Sequence, residues 1–179
     1  MLTIHIPSKE MWDEDKQEFK YTKAHTLVLE HSLVSMSKWE SKWCKPFLSS
    51  ERKTIEETID YIKCMTITQN VDDDVYSALT TSNIDEINAY IQHPMTATVI
   101  IDNDKSSSKE IITSELIYYW MISFNIPFEC QKWHLNRLIT LIRLCNKRNK
   151  PPKKLSQQEL IKRNSELNAI RRKKLKTKG

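Results

Sequence analysis

Residues 113–145, TSELIYYWMISFNIPFECQKWHLNRLITLIRLC, form the densest apolar block of the chain and decide its fold. Residues 113–125 open with a Thr-Ser-Glu start signal and are apolar around most of a helical circumference, which predicts a buried helix. Pro127 interrupts the pattern, because proline has no backbone N–H to donate. A second helix is predicted over 128–146, with apolar residues at helical spacing on one side. We expect these two helices to be the spine of the domain.

A small amount of strand is predicted near the N-terminus. Apolar and polar residues alternate over 2–6 and, in part, over 26–31, which predicts two strands joined by the charged stretch 7–23. The β-branched run 96–101 suits a further strand. The chain has a single glycine, Gly179, so tight hairpins that need glycine at positive φ are not expected.

Helices account for most of the remaining sequence. Further helices are predicted over 32–43, 54–65, 72–80 and 83–92. Ser32, Thr54 and Asn83 are the expected N-caps, since their side chains can accept hydrogen bonds from the first turn. The fold class is therefore predicted to be α+β and predominantly α-helical, with a small N-terminal strand pair, a helical body and a basic C-terminal helical arm.

The charge of the chain is divided between two regions. Residues 143–179 carry 14 Lys or Arg against two acids, whereas the other 142 residues carry 14 bases and 21 acids. The formal charge of +5 is thus a body near −7 followed by a tail near +12. Segregated charge of this kind marks a partner-binding arm for an acidic or polyanionic surface, or a solvated extension that keeps the protein soluble.

The arm begins at a predicted boundary. Pro151 and Pro152 cannot continue a helix and divide a mainly helical globular domain, 1–150, from a basic helical extension, 151–179. Ser156 starts a capping-box pattern for a helix with a thin apolar stripe. The candidate electrostatic arm consists of Lys162, Arg163, Arg171, Arg172, Lys173 and Lys174. An acidic protein surface is the preferred partner, and nucleic acid is the alternative, although the arm lacks an aromatic on which bases could stack.

Residue usage excludes several classes of site. Without internal glycine the chain cannot form a Gly-rich phosphate cradle, a Rossmann turn or a P-loop. The four cysteines are scattered with no C-x-x-C pair, and neither a signal peptide nor a membrane-spanning stretch is evident. We expect a soluble intracellular protein with reduced thiols and no membrane association.

Candidate catalytic and metal-ligating groups are few. Cys130 and His134 have the i, i+4 spacing of two ligands on one helix face, but no second pair is nearby. The aspartates at 72–74 precede a predicted helix, where they interact favourably with its dipole. Cys130 with His134, or Cys64 with His31, would be a nucleophile pair on residue identity alone. We therefore expect no enzyme activity, no metal and no cofactor.

Two segments resemble proteins encoded among the tail genes of long-tailed bacteriophages: residues 29–43, LEHSLVSMSKWESKW, and residues 113–145. The second segment, with a helix, a Pro127 break and Trp133 before a leucine-rich helix, is similar in layout to small phage tail assembly chaperones. This resemblance implies a helical, non-enzymatic factor that binds tape-measure or tail-tube subunits before assembly.

The predicted function is thus a bacteriophage tail assembly factor, or a tail-associated structural protein, in the cytoplasm of the bacterial host or in the virion. Its hydrophobic contact surface, or the support of that surface, is predicted to comprise Leu33, Trp39, Trp43, Trp120, Trp133 and Leu138. Trp39 and Trp43 form one indole stripe that either covers the core or presents an aromatic anchor to a partner. The alternative function is a nucleic-acid-binding accessory protein that uses the arm.

Overall fold

A computed structural model describes residues 1–13, 17–100, 111–149 and 157–176. The chain divides into two units, Met1–Lys147 and Arg148–Gly179. The predicted boundary at 150–151 lies outside the described residues, as does the predicted cap Ser156.

The fold is α+β and predominantly α-helical, as predicted. Its elements in chain order are β1 (Leu2–Ile6), β2 (Lys9–Asp13), β3 (Glu18–Thr22), β4 (His25–Leu29), α1 (Leu33–Trp43), α2 (Ile55–Met65), α3 (Asp73–Ser77), α4 (Thr81–Gln92), α5 (Ser114–Ser123), a 3₁₀ helix (Phe128–Lys132), α6 (Leu135–Asn149) and α7 (Gln157–Leu175). No helix within the described ranges is both long enough and apolar enough to cross a bilayer.

The predicted N-terminal strand pair is confirmed. β1 and β4 are antiparallel, with Ile4 opposite Leu27, and their alternate residues are buried against the helices. The outer edge of β4 is used by the segment after α2, because Ile67 N–H donates to the Val28 carbonyl (2.8 Å). The predicted strand 96–101 is wrong for 96–100, which have no paired strand beside them, and Ile101 lies outside the described residues.

The stretch 7–23 is more than a connection, because it contains the antiparallel pair β2–β3. Trp12 faces Phe19 across the strands, and their rings meet edge to face at 4.9 Å. Gln17 takes the left-handed conformation (φ 51°) that a glycine usually supplies. The strand pair therefore forms without glycine. Four residues separate Asp13 from Glu18, so this is not the tight hairpin that composition made unlikely.

Of the three helix caps predicted within the described residues, two are confirmed. Ser32 caps α1 and Thr54 caps α2, each within a reciprocal capping box. The cap of α4 is Thr80 and not Asn83, so that prediction is wrong. Asn83 instead completes the box with its Oδ1, while its side-chain amide donates to the His5 carbonyl (3.2 Å). This second bond joins α4 to β1 and explains why Asn83 lies inside the helix.

The 113–145 block departs from its predicted geometry. In α5 only one face is buried: Ile117 and Met121 are enclosed, whereas Tyr119 and Ile122 are exposed. The second helix begins at Leu135 and not at residue 128, because Leu135 N–H donates to the His31 carbonyl (2.8 Å) and requires extended backbone just before it.

Glu40 joins three segments of the helical body. Its side chain is buried on α1, and its carboxylate accepts the Phe47 N–H on one oxygen and the Ser114 N–H on the other, both at 2.7 Å. The carboxylate thereby holds the loop after α1 and the first residue of α5. Bonds of this charge-assisted kind are about twice as strong as neutral ones.

Replacing Glu40 by Gln should lower the free energy of unfolding by about 1–3 kcal/mol, because the amide presents a donor to one of the two backbone N–H groups. Urea denaturation followed by circular dichroism measures the change. Glu56→Gln, at an exposed position on α2, is the matched control and should stay within about 0.5 kcal/mol of the parent. Equal stability of Glu40→Gln and the parent would contradict the role given to this carboxylate.

Candidate functional site

The predicted contact residues fall into two groups. Leu33, Trp39 and Leu138 are fully buried in the core, so their side chains are not accessible to a partner in this fold. Trp43, Trp120 and Trp133 are half-buried against the core. Among the described residues, ring contacts join Trp39 to Trp43 but neither of them to Trp120 or Trp133. The six side chains therefore do not form one continuous aromatic surface.

The indole groups on α1 are engaged inside the protein. Trp39 Nε1–H donates to the Glu57 carbonyl (2.8 Å), and Trp43 Nε1–H donates to the Asp60 carboxylate (2.9 Å). Lys42 forms an ion pair with the same carboxylate. These bonds favour the interpretation in which the indole stripe covers the core over that of an exposed anchor.

A concave apolar surface lies between α2 and α4, and we call it the α2–α4 groove. It consists of two adjoining clefts of about 370 and 360 Å³ that share Lys53, Thr58 and Ile84. The side chains that line it are mainly apolar and include Phe47, Leu48, Ile55, Ile59, Tyr61, Ile62, Tyr76, Leu79, Ile84, Ile87 and Ile91. Apolar clefts of this size are typical of binding sites for small molecules or side chains of a partner.

Isoleucines on the two helices form the walls of the groove. Ile55, Ile59 and Ile62 recur at helical spacing on α2, and α4 carries a matching stripe through Ile84 and Ile87. Ile62 and Ile87 are buried, and Ile59 and Ile84 are half-buried. Ile55 is 80% exposed. On each helix, therefore, part of the apolar face is not covered by the described residues of the body.

Phe47 lines one of the two clefts of the groove. Glu40 holds the Phe47 backbone, and the Phe47 ring stacks on Tyr61 at 3.9 Å and meets Trp39 edge to face at 5.3 Å. Lys53 Nζ donates to the Phe47 carbonyl (2.7 Å) and lies 4.4 Å from the centre of its ring. Burial lowers the pKa of the Lys53 ammonium. The groove thus combines apolar walls with one partly buried cation.

The candidate nucleophile and metal pairs are placed differently from the prediction. Cys130 lies in the 3₁₀ helix, and His134 follows it on extended backbone, so the two do not share a helix face. Asp73 is paired with Lys63 (2.5 Å) at the start of α3. Over the ranges that the structure describes, no group of three or more His, Cys, Asp or Glu is arranged to hold a metal ion.

His31 belongs to a buried polar cluster. Its Nδ1 shares a hydrogen bond with the Tyr61 hydroxyl (2.5 Å), and its ring lies 5.0 Å from that of His134. His134 Nε2 is bonded to the Tyr90 carbonyl (3.1 Å). Burial, together with His134, lowers the pKa of His31 to about 3. A group of this pKa is neutral at physiological pH, which suits an imidazole packed inside the core.

The predicted C-terminal helix is confirmed as α7. The basic side chains of the arm are exposed, as are Leu160, Ile161 and Leu167. Three bases lie in its last turn, where they complement the negative end of the helix dipole. Its charges are therefore available to a polyanion or to an acidic protein.

Besides the groove, two exposed apolar surfaces were not predicted from the sequence. One is on the β2–β3 hairpin, where Trp12, Phe19 and Tyr21 are exposed. The other is the outer face of α5 with Tyr119 and Ile122. The hairpin could have been found from the alternation of aromatic and charged residues over 19–21. The groove could have been suspected because two consecutive short helices carry isoleucine stripes.

The stability of the body should depend on pH through His31. In the unfolded chain its pKa returns to about 6.5, so below that pH the unfolded state takes up a proton that the buried imidazole does not. The contribution of His31 to the free energy of unfolding should be at its maximum above about pH 7. Because of this group alone, the free energy of unfolding should fall by about 2 kcal/mol between pH 7.5 and 5. Urea unfolding at both pH values measures this change.

His31→Gln should flatten this pH dependence, whereas His93→Gln, at an exposed histidine, should retain it. An unchanged slope in His31→Gln would contradict the assignment. His134, whose pKa is also lowered by burial, acts in the same direction as His31.

Comparison with known proteins yields no family assignment. The chain matches no protein-family model, and no curated protein and no solved structure was found to be similar to it.

Proposed function

We propose that the protein is a non-enzymatic bacteriophage tail assembly factor that holds an apolar segment of another tail protein in the α2–α4 groove. The observation that carries this proposal is the groove itself: two adjoining apolar clefts lined by isoleucines of α2 and α4. Buried titratable groups of the core are bonded to neighbouring groups, as His31 is to Tyr61 and Glu40 is to two backbone N–H groups. The groove, in contrast, is an accessible and mainly apolar surface.

An amphipathic helix is the occupant that best matches the shape and chemistry of the groove. Helix-in-groove recognition places apolar side chains from one helical face into a hydrophobic cleft. Ile55 is 80% exposed and would become covered. Complete burial of one such side chain contributes about 1.5–3 kcal/mol, so a few contacts of this kind give a reversible complex.

The proposed partners are tape-measure or tail-tube subunits, which is what the resemblance implies. Such subunits present apolar surface before they polymerise, and covering it in the host cytoplasm would prevent premature association. The basic arm on α7 would speed the encounter with an acidic subunit, since long-range attraction acts mainly on the association rate. A tail-associated protein that stays in the virion would use the same groove permanently.

Ile55→Asp should weaken partner binding by at least about tenfold, because it places a charge on the apolar wall. The test co-expresses the full chain with the tape-measure and tail-tube subunits of the same tail gene module and measures the soluble fraction of each subunit. Ile122→Asp is the matched control, since Ile122 is 61% exposed but lies on α5. Thermal unfolding confirms that both variants fold.

The proposal predicts that the parent and Ile122→Asp keep the subunit soluble and that Ile55→Asp does not, at both 50 and 500 mM salt. If Ile122→Asp is the damaging variant, the binding surface is on α5. If the parent, Ile55→Asp and Ile122→Asp all leave the soluble fraction of both subunits unchanged, the proposed tail assembly function is wrong.

A nucleic-acid-binding accessory function is the second candidate, and the exposed basic face of α7 favours it. Phosphate binding releases counterions, so affinity for duplex DNA should fall steeply with salt. Replacing Arg171, Arg172, Lys173 and Lys174 by Ala should reduce the slope of log K against log salt by about 3–4. Fluorescence anisotropy of a labelled duplex measures it, and an unchanged slope would contradict this function.

A further inference from the structure

We propose that Lys53 binds a carboxylate of the segment held in the α2–α4 groove, so that the groove selects an apolar helix with one acidic residue between its apolar anchors. This inference rests on the proposed function and adds the chemistry of the partner. It commits to a segment of a partner protein as the occupant of the groove.

Lys53 lies where the two clefts meet. It lines both of them, together with Thr58 and Ile84. The remaining lining residues that the two clefts contribute are mostly apolar, with Ile55 and Ile59 in one and Ile87 and Ile91 in the other. An occupant that spans both clefts would therefore contact the Lys53 side chain.

The Lys53 ammonium is held in place and partly shielded from water. It lies 4.4 Å from the ring centre of Phe47 and 5.7 Å from that of Trp39, and it donates to the Phe47 carbonyl at 2.7 Å. An ammonium has three N–H donors, and the carbonyl uses one of them. A carboxylate that approaches such a preorganised and partly desolvated cation interacts more strongly than it would in bulk water.

Among the residues that the structure describes, none supplies that carboxylate in an ion pair with Lys53. Glu57 attracts Lys53, but its carboxylate oxygens accept hydrogen bonds from Lys45 Nζ (2.6 Å) and Thr54 N–H (2.8 Å). Among the ion pairs of the described residues, Lys53 takes part in none. Charge complementarity therefore favours an acidic group on the occupant.

The position of Lys53 also predicts the pattern of the partner sequence. On a helix, residues three or four positions apart lie on the same face. A segment with an apolar anchor in each cleft would place its Asp or Glu about three or four residues from both anchors. The expected motif is a short amphipathic helix whose apolar stripe is interrupted once by an acid.

Two designed amphipathic peptides test this inference. They share one apolar stripe and differ at its central position, which is Glu in one peptide and Gln in the other. Fluorescence anisotropy with the full-length protein should show about fivefold to tenfold tighter binding of the Glu peptide. Lys53→Met should remove that preference, whereas Lys53→Arg, which retains the cation, should keep most of it. Thermal unfolding checks that each variant folds.

The outcomes separate this inference from the proposed function. If the parent binds both peptides with equal affinity and Ile55→Asp binds neither, the role of Lys53 is overturned and the groove remains the binding site. Failure of both peptides to bind would overturn the inference and count against the groove. Lys53-dependent binding of decanoate alone would replace the peptide by an acyl chain. Self-association that Ile55→Asp abolishes would make a second copy the occupant.

Discussion

Glu40 accepts one backbone hydrogen bond from Phe47 and one from Ser114, and this buried carboxylate determines how α1, the loop after it and α5 are held together. The bond to Phe47 has the wider consequence. It fixes the backbone from which the Phe47 ring stacks on Tyr61, and it places the Phe47 carbonyl where Lys53 donates to it. The Phe47 side of the groove and the position of its cation therefore both depend on one side-chain carboxylate.

The polar groups of the core are largely used to hold the fold. Trp39 and Trp43 donate their indole N–H groups to partners on α2, and His31 and Tyr61 bond to each other. Hydrogen-bonded polar groups of this kind make a core rigid and specific. A rigid body that leaves isoleucines open between α2 and α4 is a suitable support for reversible helix binding, because the groove needs little reorganisation when a partner enters.

Local signals in the sequence predicted the fold class and much of the helical framework, whereas tertiary contacts decided the rest. Ser32 and Thr54 were identifiable as caps because a capping box depends on residues only three positions apart. Asn83 was misassigned because its bond to the His5 carbonyl depends on a distant strand. The start of α6 depends likewise on the His31 carbonyl.

The groove illustrates what a hydrophobic pattern leaves open. Periodicity identifies which face of α2 or α4 is apolar, but it does not indicate whether another element covers that face. The same limit explains α5, whose apolar circumference predicted complete burial although Tyr119 and Ile122 are exposed. The sequence thus contained the isoleucine stripes of the candidate site, and only the packing shows that they line a concave surface.

Hydrogen–deuterium exchange of the full-length chain, alone and with a tape-measure or tail-tube subunit, tests the central claim most directly. A partner seated in the α2–α4 groove stabilises the two helices that form its walls. The account predicts slower exchange over Ile55–Met65 and Thr81–Gln92, with little change over Ser114–Ser123. Protection confined to Ser114–Ser123 or to Gln157–Leu175 would contradict it and move the binding site to α5 or to the arm.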